Sequence, residues 1–175
     1  MKHFAILGLS LRVASDSKGG KTVNKQGQLA QTFRDVFNKM AWLNEQKMKD
    51  SLKAYKPSEV HCVEHIGKNE DANVTKLAES FYMTRGAISK LTRKLMDKGL
   101  IKSYRKPDNK KEIYFKLTAR GQEVFRVHEQ LHREAGVRDK AVFEQINEAQ
   151  FEEMCRFLEN YGRHLDAEIK KLGKA

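Results

Sequence analysis

The sequence predicts a mainly α-helical fold that carries one short β-hairpin. Apolar residues recur every three to four positions near residues 29–43 and again over 151–172, which is the spacing of an amphipathic helix. Between these stretches, residues 100–117 form two β-rich runs joined by the turn-forming segment Lys-Pro-Asp-Asn-Lys. Residues that open or end helices separate the remaining segments.

The first predicted helix begins near Gln28. It follows a loop over residues 15–27, because clustered Gly and Ser hold neither a helix nor a packed strand. A second helix opens at Pro57 and ends before Gly67, since proline fits the first turn of a helix. The apolar stripe of the first helix consists of Leu29, Phe33, Val36, Met40 and Leu43.

Two further helices precede the hairpin. Residues 73–79 open the third, and Thr84 caps a fourth that runs to Lys98, where Gly99 stops it. This arrangement places two short helices directly ahead of two strands.

The hairpin and the last two helices complete the fold. The strands are predicted over 100–105 and 112–117, and Thr118 then caps a helix. Asn147, with Gln150 three residues on, caps the last helix. The stripe of this last helix consists of Phe151, Met154, Leu158, Tyr161, Leu165 and Leu172.

The positive charge is concentrated in one segment. The formal net charge is +11, and residues 84–116 hold eleven Lys and Arg against three Asp and Glu. Such an excess indicates a polyanionic partner, either nucleic acid or an acidic membrane surface. No apolar run reaches the roughly 18 residues that a membrane helix needs. Nucleic acid is therefore the favoured partner, and no membrane is expected.

The N-terminus resembles a short signal peptide. An apolar run over residues 4–11 follows the basic start, but Arg12 ends it early and no small-x-small cleavage site follows. We expect an N-terminal strand or arm within residues 1–27 instead. Two cysteines, Cys62 and Cys155, form no disulfide framework, which favours a reduced, cytoplasmic location.

Helix, turn, helix and hairpin in succession are the layout of a winged helix-turn-helix. In the fourth helix Ile88, Leu91 and Leu95 share the face expected to be buried. Arginine on the opposite face can hydrogen-bond guanine through two N–H groups, and Ser or Thr can bond base edges or phosphates. Such a basic face is often no more than a solvated surface, but the lysines at the hairpin tip favour DNA binding.

The candidate DNA-contacting residues come from the fourth helix and the hairpin. Gly86 is included because it leaves the backbone bare for a close approach to the duplex. The set is Thr84, Arg85, Gly86, Ser89, Lys90, Thr92, Arg93, Arg105, Lys110 and Lys111.

The chain resembles the MarR family of transcription regulators over about residues 28–172. The resemblance is carried by Val74-Thr-Lys-Leu-Ala-Glu79, Met83-Thr-Arg-Gly-Ala-Ile-Ser-Lys-Leu91, Leu95-Met-Asp-Lys-Gly-Leu-Ile101 and Lys116-Leu-Thr-Ala-Arg-Gly121. It implies a triangular homodimer whose interface is formed by the first helix and the last two. It also implies that the dimer represses transcription from a palindromic operator and that a ligand or an oxidant relieves this repression.

The resemblance also divides the chain into regions. Residues 57–117 correspond to a winged helix-turn-helix domain, residues 28–56 and 118–175 to a helical dimerisation region, and residues 1–27 to an arm. The wing of the family usually reads Asp-x-Arg, whereas Asn109 and Lys111 stand at those positions. Because lysine lacks the planar fork of arginine, we expect Lys111 to act mainly as a point charge.

Four of the six histidines form two i,i+4 pairs, His61 with His65 and His128 with His132. Each pair can bring two imidazoles to one divalent ion. The offsets of the second pair from the Leu-Thr that closes the wing resemble those of zinc-responsive MarR members. The resemblance implies a regulatory Zn²⁺ site made by His61, His128, His132 and Glu45, with His65 as an alternate ligand.

Three alternatives to a metal effector stay open. Paired histidines on amphipathic helices often bind no metal at all. The family commonly takes small aromatic or phenolic effectors in the cleft between its two regions. Oxidation of Cys62 is a third route, and it requires a lowered thiol pKa and solvent access. No cofactor beyond a regulatory Zn²⁺ is expected.

Two rival functions use the same residues. His61-Cys-Val-Glu-His65 matches the H-x-x-E-H pattern of zinc peptidases, in which two histidines hold the metal and Glu64 activates water. The pattern is short, and the sequence contains no Gly-rich phosphate loop or Ser elbow, so an enzyme is not expected. A non-specific architectural DNA binder is the other rival, and equal affinity for operator and scrambled duplex would favour it.

Overall fold

A computed structural model describes residues 24–172. Contacts divide the chain into two units, residues 1–39 and 40–175. The first unit is described from Asn24 and holds the start of helix α1 (Lys25–Ser51). The loop predicted over 15–27 ends earlier than expected, because the Asn24 Oδ1 accepts from the Gly27 N–H at 2.9 Å and so caps the helix. The arm predicted before that cap lies outside the described residues.

The described part of the second unit contains five more helices and one hairpin. They are α2 (Pro57–Lys68), α3 (Val74–Ser80), α4 (Arg85–Asp97), β1 (Ile101–Tyr104), β2 (Tyr114–Leu117), α5 (Ala119–Phe143) and α6 (Glu148–Lys171). The strands are antiparallel, with Ile101 opposite Leu117 and Tyr104 opposite Tyr114. The mainly α fold with a small hairpin is therefore confirmed.

Side chains at the predicted caps start the helices. Thr84, Thr118 and Asn147 each accept a hydrogen bond from the backbone N–H three residues on. The Gln150 Oε1 in turn accepts from the Asn147 N–H at 3.0 Å, which completes a capping box. Each cap satisfies backbone donors that a helix end leaves without partners.

The core of the second unit lies where α2, α3, α4 and β1 meet. Leu77 of α3, Ile88 and Leu95 of α4 and Leu100 before β1 are fully buried. Such burial contributes roughly 1.5–3 kcal/mol per large aliphatic side chain. Burial of the apolar face therefore decides which side of α4 faces solvent.

Helix α6 is a different case, because none of its residues is buried. Its apolar stripe consists of Phe151, Met154, Leu158, Tyr161 and Leu165, which are 43–50% exposed. In the first unit Leu29, Phe33 and Val36 of α1 are also exposed. No helix among the described residues is both long and apolar enough to cross a membrane.

Gly121 allows α5 to pack closely against the segment that enters β1. A Cβ at this position would lie 2.0 Å from the backbone oxygen of Leu100, and backbone cannot rotate away as a side chain can. The same oxygen accepts from the Thr118 N–H at 3.0 Å. The absence of a side chain at Gly121 is thus a packing requirement of the wing base.

Gly121→Ala is expected to destabilise the protein by about 1–3 kcal/mol, the range for overpacking a tight site. Gly136→Ala is the matched control, because it lies in the same helix with no atom within 4 Å of the added Cβ. The control should be neutral or stabilising by up to about 1 kcal/mol, as alanine is the better helix former. Denaturant unfolding of both variants gives the comparison, and equal stability would contradict the close contact.

Candidate nucleic-acid interface

Helix α4 presents one face to the core and the other to solvent. The Thr84 Oγ1 accepts from the Ala87 N–H at 3.2 Å and so fixes the first turn. Ile88 and Leu95 are buried, whereas the residues on the outer side are exposed: Arg85, Gly86, Ser89, Lys90 and Arg93. Nothing lies within 4 Å of a Cβ built on Gly86, so the surface there is open.

Thr92 does not belong to this outer face. Its side chain is 2% exposed, and its hydroxyl donates to the Ser89 carbonyl at 3.2 Å. The placement predicted for Thr92 is wrong, because it lies four residues after Ile88 and three before Leu95, within the buried stripe. A methyl-bearing side chain can occupy that position when its hydroxyl has a backbone acceptor.

The cations of α4 fall into two groups. Arg85, Lys90 and Arg93 have no ion pair or side-chain hydrogen bond with another described residue. Lys94 and Lys98, in contrast, lie 2.6 and 2.7 Å from the carboxylate of Glu59 on α2. Arg85, Lys90 and Arg93 therefore carry the positive charge of α4 that is free to meet a partner.

The wing turn is built around Asn109. Its Oδ1 accepts from the backbone N–H groups of Lys111 and Glu112, both at 3.2 Å, and its amide donates to the Tyr114 hydroxyl at 3.2 Å. Asn109 thus shapes the turn through backbone atoms and does not orient the Lys111 side chain. The sequence pattern of the turn does not by itself reveal this role of Asn109.

Arg105 places a guanidinium at the same turn. Its Nη1 donates to the Lys110 carbonyl at 2.7 Å, while the side chain stays exposed. The side chains of Lys110 and Lys111 are exposed and make no ion pair with any residue in the described range. The wing turn, residues 105–111, therefore offers three exposed cations without an ion pair among the described residues, of which the arginine is held in position.

Long-range contacts tie the base of the wing to the loop before α3. The Tyr104 hydroxyl donates to the Glu70 carbonyl at 2.9 Å, and the Asn73 amide donates to Glu112 at 3.0 Å. Lys106 forms an ion pair with Asp71. These contacts join the wing to the helix-turn-helix, so that both present their cations from one framework.

A histidine cluster lies where α2 meets α5. Glu64 is 3.5 Å from the Nδ1 of His128 and 3.2 Å from the Nε2 of His132. Ligand atoms of these three residues lie within 4.8 Å of one another. The ring of His61 is 5.4 Å from that of His128, between centroids. The structure thus brings together three of the histidines that the sequence proposed.

The carboxylate in this cluster is Glu64, and the prediction of Glu45 is wrong. Glu45 forms an ion pair with Lys49 on its own helix at 2.9 Å. Glu64 lies one turn after His61, so both point from the same face of α2 towards α5. His65, the alternate ligand, lies against the ring of Phe81 at 5.6 Å between centroids.

Burial favours the neutral imidazole at His61 and at His128 by lowering the pKa of each. Burial lowers the pKa of His128, although the nearby Glu64 opposes this shift. The buried Nδ1 of His128 has no hydrogen-bond partner within residues 24–172. A cleft of about 270 Å³ borders the cluster and is lined by His61, His128, His132, Lys47, Asn44 and Arg138, among others.

Two other candidate chemistries lose support. Cys62 is fully buried, and burial raises the pKa of its thiol to about 12, so it has neither the thiolate nor the access that oxidation sensing needs. In the H-x-x-E-H segment, His61 meets His128 while His65 meets Phe81. The two histidines therefore do not converge on one peptidase-type metal position.

Comparisons with known proteins agree with this geometry. Residues 56–113 match the MarR family. The HTH-type transcriptional regulator PchR of Bacillus subtilis (strain 168) is 28% identical over 152 residues, which is 79% of this chain and 90% of that protein.

Solved structures share the fold. FabT of Streptococcus pneumoniae in complex with DNA has a TM-score of 0.70 at 20% identity and covers 81% of this chain and 98% of its own. A Listeria monocytogenes protein complexed with a 26mer DNA has a TM-score of 0.65 at 18% identity, covering 82% and 94%.

Helices α2 to α4 and the hairpin define a winged helix-turn-helix protein. The module over residues 56–113 is of the MarR type, and over most of its length the chain is similar to a transcriptional regulator.

Proposed function

We propose that the protein binds a palindromic operator in double-stranded DNA as a cytoplasmic homodimer and represses transcription until an effector releases it. The observation that carries this proposal is the group of exposed cations on α4 that have no partner among the described residues. Arg85 is the first residue of that helix. Helix-turn-helix proteins use the N-terminal residues of their second helix to contact base edges in the major groove.

The exposed arginines and the exposed lysines suit different parts of the duplex. Arg85 and Arg93 can bond guanine edges through two N–H groups, while Lys90 and the wing lysines supply charge for phosphates. Arg105 is held at the wing turn by the Lys110 carbonyl, so less side-chain freedom is lost when it enters a narrow minor groove. The DNA complexes solved for two proteins of this fold support the same class of partner.

The exposed apolar stripe of α6 supports dimerisation. None of the residues of α6 is buried, yet the helix carries five large apolar side chains on one side. A second copy of the chain is the natural partner for such a surface. Leu29 and Val36 of α1 are also exposed apolar side chains. A twofold dimer then presents two α4 helices to two half-sites, which is why a palindromic operator is proposed.

A second proposal concerns regulation: the histidine cluster binds Zn²⁺. Zinc bonds to nitrogen and oxygen of about 2.0–2.2 Å place tetrahedral ligand atoms about 3.3 Å apart. The separations of 3.5 and 3.2 Å between Glu64 and the two α5 histidines are close to that spacing. Neutral imidazole is the ligand form, and the lowered pKa of His128 maintains it at pH 7. His61 is the candidate fourth ligand.

Arg85→Ala is expected to cost about 1–3 kcal/mol at the cognate operator and to relax base preference. Lys111→Ala is the contrasting variant, which should weaken all duplexes alike and reduce the salt slope by about 1. Operators selected from a random pool provide the cognate site. Operator affinity unchanged by Arg85→Ala would show that the face is assigned wrongly, and equal wild-type affinity for scrambled DNA would favour an architectural role.

Leu158→Glu is expected to shift the protein from dimer to monomer, because the change buries a carboxylate in the proposed interface. Arg156→Glu is the control, since helical spacing puts it on the opposite side of α6. Sedimentation at micromolar concentration measures both. A wild-type protein that sediments as a monomer would contradict the proposed dimer.

Protein purified without chelator is expected to hold about one Zn²⁺ per chain at the cluster. His128→Ala should lose the metal and its effect on operator affinity, whereas His65→Ala should keep both because that ring faces Phe81. Metal analysis and titration of the operator with added Zn²⁺ test this. A metal-free protein whose operator affinity does not respond to Zn²⁺ would contradict the zinc site. That result would favour an aromatic effector in the adjoining cleft.

A further inference from the structure

Glu59 is a buried acid that lies outside both the exposed face of α4 and the histidine cluster. It is the third residue of α2 and is 1% exposed. Its Oε2 accepts from the Lys56 N–H at 2.9 Å and from the Lys98 Nζ at 2.7 Å, while its Oε1 lies 2.6 Å from the Lys94 Nζ. One carboxylate thus meets Lys94 of α4, Lys98 directly after that helix, and the backbone of Lys56 directly before α2.

The two lysines hold the C-terminal half of α4 from one side. They are one helical turn apart and reach the same carboxylate. Lys98 is held further by the Ala54 carbonyl at 3.4 Å and by the ring of Tyr55, 5.2 Å from its Nζ. Glu59 therefore joins α4 to the beginning of α2 and to the loop before it.

Stability alone does not explain this arrangement. The Glu59 carboxylate loses its hydration on burial, and that cost offsets much of its attraction to Lys94 and Lys98, whose side chains are 45% and 29% exposed. Apolar contacts such as those of Ile88 and Leu95 resist separation of two helices but allow small rotations and shifts. An ion pair with short, directional contacts restricts both.

The rotation of α4 matters for reading bases. The side-chain envelope of a helix has a radius of about 5–6 Å, so a rotation of about 20° displaces a side chain by about 2 Å. Hydrogen bonds to base edges tolerate only a few tenths of an ångström around 2.9 Å. Phosphate attraction tolerates such a displacement far better, since it depends on charge and distance.

We propose that Glu59 is a positioning residue for operator recognition, which sets the rotation of α4 by holding Lys94 and Lys98. The proposal rests on the proposed DNA-binding function and adds a specificity determinant that contacts no DNA. The same pairing occupies both lysines, so they add little to the attraction of phosphates. Loss of the carboxylate should therefore affect operator and random duplex differently.

Glu59→Gln in the full-length protein is the direct test, with affinities for the selected operator and a scrambled duplex measured over a range of salt. We expect operator affinity to fall about tenfold and affinity for scrambled duplex to hold or rise, since two lysines are freed. Glu144→Gln is the control, because it makes the same chemical change at an acid paired with Lys140 on α5. It should leave the ratio of the two affinities unchanged.

Lys94→Met provides a second variant that keeps the Glu59–Lys98 pair, in case Glu59→Gln does not fold. It should also lower the ratio of operator to scrambled affinity, and the double variant should lower it little further. Equal losses of affinity for both duplexes, with a salt slope reduced by about one, would instead show that Lys94 contacts a phosphate. That result would overturn the proposal. An unchanged ratio in folded Glu59→Gln would overturn it too. A wild type that does not discriminate operator from scrambled DNA would refute the proposed function itself.

Discussion

The burial of one face of α4 is the constraint on which the rest of the structure depends. Leu77, Ile88, Leu95 and Leu100 are fully buried together, and their packing leaves α4 only one side on which to carry charge. Thr92 shows the strength of this constraint, since a hydroxyl is drawn into the buried stripe and satisfied by the Ser89 carbonyl. The residues of α4 that do not pack in the core form its solvent-exposed face.

Ion pairing then divides the basic segment into two classes. Lys94, Lys98 and Lys106 are paired with acids that lie earlier in the chain and hold the module together. The exposed cations of α4 and the wing lysines have no such partners among the described residues. A count of charge over residues 84–116 therefore overstates the interface, because part of that charge is structural.

Helix α2 is shared by two sites. Glu59 contacts α4 at one end, and Glu64, five residues on, contacts the histidines of α5. A rigid helix between a candidate effector cluster and the DNA-reading helix gives the two sites a common element. Differential contacts of an effector with α2 are the physical basis on which binding at one site can alter the other.

The sequence by itself determined what depends on near neighbours: the helix starts at Thr84, Thr118 and Asn147, the hairpin, and the basic character of one segment. Such features involve residues three or four positions apart or a simple period, so they are readable without a fold. Only the tertiary structure decided that Glu64 and not Glu45 joins the histidines, that Thr92 is buried, and that Glu59 pairs with two lysines. Those pairings join residues far apart along the chain, and their partners are selected by packing between helices, which no local pattern encodes.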